Sequence, residues 1–432
     1  MLDIRWIRDN RERLEETVAH RGLDVAVAEL LDVDDERREA LASVERLRGE
    51  RNRLSERIPL LLREGRRDEA ERTKVEAKRV GAELAEAEPK LAALTARFRE
   101  LMLLVPNDVS PDTPIGATDA DNVELKRVGE PTSFAFEPKD HVELGEALGL
   151  IDIARGVKTA GSRSYYLRNE GLHLHRAVQQ LAVDLLAKKG FDVMDVPLLV
   201  REEALTAAAF FPGGRDQTYE LPADGKWLVG TSEASLVSYY ADEIVDVTEP
   251  IRLAAVSSCF RREIGSAGRD VRGLYRVHQF AKVEQVVLCR GDADESERML
   301  QDITRNAEEL LGLLELPYRV VAVCTGDMGT KTYKQYDIET WMPSRGAYGE
   351  THSSSNLHDF QARRANIRYR DGDGKLRFCH TLNNTAVASP RILIPLLEVH
   401  QREDGSIRIP PALRPYMGGK ASIGPSDGTV GD

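Results

Sequence analysis

Two stretches of the chain repeat apolar residues at alternating gaps of four and three. The first runs Ala40, Val44, Leu47, Arg51, Leu54, Ile58, Leu61, with one charged interruption. The second runs Ala77, Val80, Leu84, Ala87, Leu91, Leu94, Phe98, Leu101. This spacing draws an apolar seam along a helix and predicts two helices packed along their lengths. The segment between them, REGRRDEAER, has Gly65 as a breaker. So short a connection makes the helices antiparallel. At a rise of ~1.5 Å per residue each is roughly 40–50 Å long. Pro59 falls inside the first and predicts a kink.

The pattern changes after the second seam. VPNDVSPDTPIGATDADN, rich in Pro, Asp and Gly, reads as a linker. Residues 172–189 form an amphipathic helix stopped by Gly190, and FDVMDVPLLV then alternates like a strand. Residues 252–263 and 276–289 are β-rich runs flanking IGSAGRDVRGLY, which predicts a long antiparallel hairpin. The small, polar tail after Tyr416 predicts fraying.

Charge sharpens the reading of the helical pair. The 432 residues carry a net −12, which excludes a generally basic nucleic-acid coat. Residues 46–79 run against that sign, with 12 basic and 7 acidic side chains. A dimerising coiled coil with a solvated surface fits the heptads. An arm that touches a polyanion fits the heptads and the sign contrast together. The four cysteines, Cys259, Cys289, Cys324 and Cys379, lie at least 30 residues apart. That spacing makes no CxxC zinc site or disulfide scaffold and suits a reducing compartment. MLDIRWIRDN is charged from Asp3, and no apolar run approaches ~20 residues, so neither a secretory leader nor a membrane span is expected.

Candidate chemistry clusters in the hairpin. Arg261 and Glu263 share one face of a strand, and Arg276, His278, Phe280, Lys282 and Glu284 share a face of the return strand. Arginine forks meet phosphate oxygens, a phenyl ring stacks on a purine, and a carboxylate accepts from an amine. The same alternation fits an exposed sheet face with cross-strand ion pairs. In ASPRILIPLLE, Pro390 and Arg391 open an apolar helical run, where Arg391 can clamp a phosphate or simply be solvated. In GETHSSSN, Glu350 and Ser353 offer hard oxygen ligands for a Mg²⁺ that bridges phosphates, although three serines also make a turn. Thr231 and Glu233 are polar groups within VGTSEAS. Neither a GxxxxGK[ST] loop nor a strand–GxGxxG–helix unit is present.

Together these segments resemble the seryl-tRNA synthetases, class II aminoacyl-tRNA synthetases of bacterial type, from MLDIRWIRDN to IRIPPALRPYMGG. GFDVMDVP resembles motif 1, CFRREIGSAGRDVRGLYRVHQFAKVEQ motif 2 and TLNNTAVASPRILIPLLE motif 3. The resemblance implies an α+β fold: an antiparallel sheet flanked by helices, preceded by an antiparallel two-helix coiled-coil arm. It implies a tRNA-binding arm domain over 1–110, a catalytic domain over 111–420 and a flexible tail over 421–432. The implied reaction joins L-serine to ATP as seryl-adenylate and passes the seryl group to the 3′ end of serine tRNA. Charging of selenocysteine tRNA is left open. A cytoplasmic homodimer that uses ATP and Mg²⁺, without zinc and away from membranes, is expected.

Residue by residue, the resemblance makes Arg261, Glu350 and Arg391 catalytic. It places Arg261, Arg262, Glu263, Arg276, Val277, Phe280, Glu350, Thr351, His352, Ser353 and Arg391 around ATP. Glu350 and Ser353 hold Mg²⁺ through the nucleotide. Thr231, Ser232, Glu233, Arg261, Glu284, Asn383 and Thr385 surround serine. A site that hydrogen-bonds the serine hydroxyl rejects alanine, because its own polar groups would otherwise stay unpaired. On the basic arm, Arg48, Arg51, Arg63, Arg66 and Arg67 are the candidates for contact with tRNA. Recognition there is of RNA shape and backbone. Ser232 stands where alanine is usual, and Ala207 to Ala209 where a Gly-Thr-Gly-like turn is common. These departures motivate one alternative, a duplicate serving a biosynthetic or resistance role; a non-catalytic RNA-binding paralogue is a second, and the retention of Arg261, Glu350 and Arg391 argues against it.

Overall fold

A computed structural model describes residues 1–265 and 272–424. The chain divides into two compact units. One comprises Leu2–Ala19 and Leu23–Val105; the other comprises Met1, His20–Gly22 and the chain from Pro106 onward.

The first unit is built on helices α1 (Val27–Arg63) and α2 (Arg67–Leu104). At ~1.5 Å per residue each is about 55 Å long, longer than the heptads alone suggest. The seam holds: Val44, Leu47, Val80 and Leu84 form one buried cluster, with Leu54, Ala87 and Leu91 packed against it. Arg48 meets Glu88 and Arg97 meets Glu29, so the helices run antiparallel. Gly65 turns the chain between them at φ 77°. Helix α1 continues through Pro59, which costs it one backbone donor.

The second unit is organised around an eight-stranded sheet. Its strands are β1 (Val123–Val128), β2 (Asp192–Met194), β3 (Ile251–Phe260), β4 (Gln279–Cys289), β5 (Tyr318–Ala322), β6 (Lys334–Met342), β7 (Ala347–Asn356) and β8 (His380–Ser389). The order is β1-β5-β6-β7-β8-β4-β3-β2. Every pair is antiparallel except β2 with β3.

Both faces of the sheet are covered. Val283, Val287 and Cys289 of β4 belong to the larger core, with helices α3 (Asn169–Lys188), α5 (Ala293–Leu313) and α6 (Leu393–Val399). Val286 and Leu288 belong to a second core with helix α4 (Glu233–Ser238). Alternation along the strand therefore puts Phe280, Lys282 and Glu284 on the face that carries the second core.

Four local expectations change. FDVMDVPLLV is two short strands, β2 and Leu199–Val200, which lie in different sheets because Pro197 breaks the run. The hairpin ladder ends at the pair Phe260–Gln279, so Arg261, Glu263, Arg276 and His278 sit on the loop beyond it. Pro390 and Arg391 occupy a turn before α6 rather than its first turn. The serine triplet Ser353–Ser354–Ser355 is strand, not turn. Ser422 and Ile423 of the tail pair with Ile407 and Arg408. Residues 425–432 of the expected flexible tail, and 266–271 of the hairpin loop, lie outside the described residues.

Candidate active site

The hairpin loop, β4, β7, β8 and the turn before α6 line a cleft. Its wall contains Arg261, Glu263, Arg276, Val277, Phe280, Glu350, Thr351, Thr385 and Arg391, all expected in the site. Leu274, Tyr275, Lys282, Ala388 and Pro390 complete it.

Backbone acceptors aim the arginines. Arg261 donates from Nε to the Gly230 carbonyl at 3.2 Å, and its guanidinium lies 5.2 Å from the Phe280 ring centre. Arg391 donates from Nε to the Tyr275 carbonyl and from Nη1 to the Glu350 carbonyl, both at 3.1 Å. The Glu350 carboxylate is 3.6 Å from the same Nη1. Arg276 pairs with Glu263 at 3.6 Å. Three guanidinium groups thus share a cleft with two aromatic rings, Phe280 and Tyr275, and the Arg391 guanidinium lies 4.5 Å from the Tyr275 ring centre.

The ladder of β6 and β7 contains a bulge at Thr351: Ile338 pairs with His352, and Glu339 pairs with Glu350. A bulge re-aims the side chains around it. Here it puts Glu350 and Thr351 in the cleft wall, while His352 stays buried and bonds Thr351 Oγ1 through Nδ1 at 2.8 Å. Ser353 accepts from Gln335 at 3.1 Å and stands opposite Asp337 in the ladder. Burial first, then the Glu350 charge, pushes the Asp337 carboxyl up to about 8.

A second polar cluster adjoins the cleft. Lys282 Nζ lies 2.6 Å from Glu284 Oε2, and both residues are buried. Asn383 donates to Glu284 Oε1 at 3.1 Å and Thr385 to Oε2 at 3.4 Å. Glu233 opens α4, where Oε1 accepts from Lys331 at 2.5 Å and from Gln361 at 2.6 Å. Lys331 Nζ also rests 3.8 Å from the Phe210 ring centre. Ser232 is fully buried, and its hydroxyl has no hydrogen-bond partner among the described residues.

Several expected residues stand apart from the cleft wall. Thr231, Ser232, Glu233, Glu284, Asn383, His352 and Ser353 lie outside it. Arg262 lines a separate recess with Arg215 and Tyr219, where its backbone donates to Gln217. On the arm, Arg51, Arg63 and Arg67 are exposed. Arg48 is held by Glu88, and Arg66 by Glu64 and Glu69. Sequence reasoning assigned no role to Lys282, Lys331, Gln361 or Tyr275. Lys282 carried a signal, since it continues the charged face of β4; the other three lie on loops or a short helix without periodicity.

An antiparallel sheet with an arginine-lined cleft at its motif 2 hairpin defines the core of a class II aminoacyl-tRNA synthetase. Residues 219–400 match the family model for the tRNA synthetase class II core domain (G, H, P, S and T), and residues 1–109 match that for the seryl-tRNA synthetase N-terminal domain. The serine–tRNA ligase of Deinococcus radiodurans is 44% identical over 425 residues, 98% of this chain and 99% of that one. Among solved structures, the seryl-tRNA synthetase of Pyrococcus horikoshii complexed with ATP superposes with a TM-score of 0.91 at 38% identity, covering 98% of this chain and all of that one. The cytoplasmic serine–tRNA ligase of Naegleria fowleri in complex with AMP gives 0.86 at 28% identity, covering 99% of each. The chain belongs to the seryl-tRNA synthetase family.

Proposed function

We propose that this chain is a serine–tRNA ligase. It activates L-serine with ATP to seryl-adenylate and pyrophosphate, then transfers the seryl group to the 3′ end of serine tRNA. The observation that carries the reading is the convergence of Arg261, Arg276 and Arg391 on one cleft with Phe280. Full-length relatives that bear the name serine–tRNA ligase support it.

The first step needs charge neutralisation more than bond-making groups on the protein. A serine carboxylate oxygen attacks the α-phosphorus; the bond to the bridging oxygen breaks, and pyrophosphate leaves with the electron pair. Negative oxygens crowd together as this happens, so fixed guanidinium groups lower the barrier. We assign Arg261 to the α-phosphate and Arg276 and Arg391 to the distal phosphates. Phe280 stacks on adenine, and Glu263 and Val277 meet its edge. Glu233 and Glu284 face the serine subsite, with Asn383 and Thr385 beside its hydroxyl. In the second step a 3′-terminal ribose hydroxyl attacks the seryl carbonyl, and AMP leaves.

The residues present fit Mg²⁺. Glu350 and Ser353 supply hard oxygens, and the buried Asp337 carboxyl stands opposite Ser353 in the ladder. Among the described residues no group of three or more His, Cys, Asp or Glu side chains could hold a metal ion unaided. That suits an ion held by one or two protein oxygens and the substrate phosphates. When bound, the cation neutralises phosphate charge.

The homodimer and the cytoplasm complete the proposal. The likeness of GFDVMDVP, which contains β2, to motif 1, the segment that shapes the dimer interface in the family, supports pairing of two copies. No described helix is long and apolar enough to cross a membrane, and all four cysteines are unpaired.

The test is ATP–pyrophosphate exchange with serine, threonine, alanine and glycine in turn, followed by transfer to serine tRNA. Serine alone should support both steps. Exchange without transfer, or exchange driven equally by alanine, overturns the reading.

A further inference from the structure

Glu233 owes its position to Lys331, and Lys331 sits on a loop fixed from outside. Arg21 donates from Nη1 to the Gly329 carbonyl at 3.0 Å and from Nη2 to the Thr332 carbonyl at 2.7 Å. Asn107 takes the two carbonyls between. Its backbone N–H donates to Thr330 at 2.8 Å, and its Nδ2 donates to Lys331 at 3.0 Å. Four consecutive carbonyls are thus held by two side chains and one N–H. Asn107 Nδ2 also donates to the Leu357 carbonyl at 2.9 Å, close in sequence to Gln361, the second donor to Glu233.

The arrangement is costly. Arg21 is only 6% exposed, its Nη1 and Nη2 donate to carbonyls rather than to a carboxylate, and its Nε is buried without a partner among the described residues. Burial lowers its pKa to about 10, against the weaker pull of Asp108. A guanidinium spanning two carbonyls three residues apart does what an apolar side chain cannot: it sets the curvature of the loop between them. The residue at the middle of that curve is Lys331, whose ammonium meets Glu233 Oε1 at 2.5 Å.

We infer that Arg21 and Asn107 are positioning residues for the serine subsite: they hold the 329–332 loop so that Lys331 orients the Glu233 carboxylate toward the amino acid. Both residues belong to the same compact unit as that loop, at the points where the chain returns from the helical unit. The inference rests on the reading of Glu233 as a serine-subsite residue. Arg21 and Asn107 touch neither substrate, so their effect falls on serine and not on ATP.

The experiment is ATP–pyrophosphate exchange with the full chain, varying serine and ATP separately. The variants are Arg21→Met, Asn107→Ala, Lys331→Met, Glu233→Gln and Arg21→Met with Lys331→Met. A misplaced subsite group should raise the KM for serine by about 10-fold or more, with the KM for ATP unchanged within about twofold. In the double variant Arg21→Met should add little to Lys331→Met, since one acts through the other. If Glu233→Gln leaves the serine KM unchanged, the subsite reading itself fails. If Glu233→Gln raises it while Asn107→Ala and Arg21→Met leave it unchanged, or raise both KM values alike, the positioning role fails. Should Arg21→Met not fold, Asn107→Ala and Lys331→Met decide the matter by the same split.

Discussion

Lys282 and Glu284, two residues apart on β4, form a buried ion pair with 2.6 Å between Nζ and Oε2. Removing one partner of such a pair strands the other charge away from water. Lys282→Met should therefore destabilise the protein by about 3–5 kcal/mol, while Lys282→Met with Glu284→Leu recovers most of the loss. Urea unfolding measures both. Serine-dependent exchange should stay absent in the double variant, because Asn383 and Thr385 lose their acceptor. Recovery of activity along with stability would remove Glu284 from the serine subsite.

Arg391 is aimed by two carbonyls, Tyr275 and Glu350, and Arg261 by one, Gly230. Alanine at either position should reduce adenylate formation by about 10²–10³-fold, the usual loss for a preorganised charge stabiliser. Lysine should not rescue either, since an ammonium cannot span the acceptors of a planar fork. Binding of serine tRNA, followed by filter retention, should be unchanged. Parallel loss of tRNA binding would show that these substitutions disturb more than the cleft.

The arm arginines should not be equivalent. All five are exposed, but Arg48 pairs with Glu88 and Arg66 with Glu64 and Glu69, whereas no ion pair holds Arg51, Arg63 or Arg67 among the described residues. Replacing the latter three with glutamine should weaken tRNA binding and reduce the slope of log K against log salt by about two to three phosphate contacts. Replacing Arg48 and Arg66 should do less, and adenylate formation should be unaffected by either set. Equal salt slopes for the two sets would mean that the arm's own carboxylates let go when RNA arrives.

How much of this was legible beforehand depends on how each feature is encoded. The coiled coil was readable because Val44, Leu47, Val80 and Leu84 repeat locally, and local repetition is what a helix seam requires. The arginines of the cleft were readable because motif strings carry them, although spacing alone left Arg261 and Phe280 equally suited to an exposed sheet face. Lys331, Gln361 and Asn107 were not, since each acts through a partner 98 or more residues away or on backbone carbonyls, which leave no mark in composition. The turn at Pro390 was misread as helix because proline suits both.

Acid should weaken the fold through histidines that are neutral by burial. Burial lowers His175 and His380 to about 4, and His352 and His358 to about 3. The unfolded chain titrates near 6.5, so between those values it binds protons that the folded state refuses. Stability is therefore fully present above about pH 6.5 and falls as the pH drops through the window toward 4. His380, stacked 4.4 Å from His358, is one such group. His380→Phe should flatten the pH dependence of unfolding between about pH 4.5 and 6 by roughly 1.4 kcal/mol per pH unit, one proton's worth. An unchanged slope would mean that His380 is protonated in the folded state.

Ala209 closes the helix Glu202–Ala207 with the geometry that usually calls for glycine. Its N–H bonds the Thr206 carbonyl at 3.1 Å, the Phe210 N–H bonds Leu205 at 2.8 Å, and its φ is 59°. This is a Schellman end with alanine at the left-handed position. A Cβ there costs about 1–2 kcal/mol, more than the extra freedom glycine gains in the unfolded chain. Ala209→Gly should thus raise stability by about 0.5–1 kcal/mol in urea. The preceding carbonyl, Ala208, accepts from Gln361 at 2.9 Å and from Lys331 at 3.4 Å, the two donors that also hold Glu233. Relaxing the turn therefore acts on the serine subsite as well as on the fold, and the serine KM should shift while the ATP KM does not. A destabilised Ala209→Gly variant would show that the surrounding packing, rather than the backbone, sets this turn.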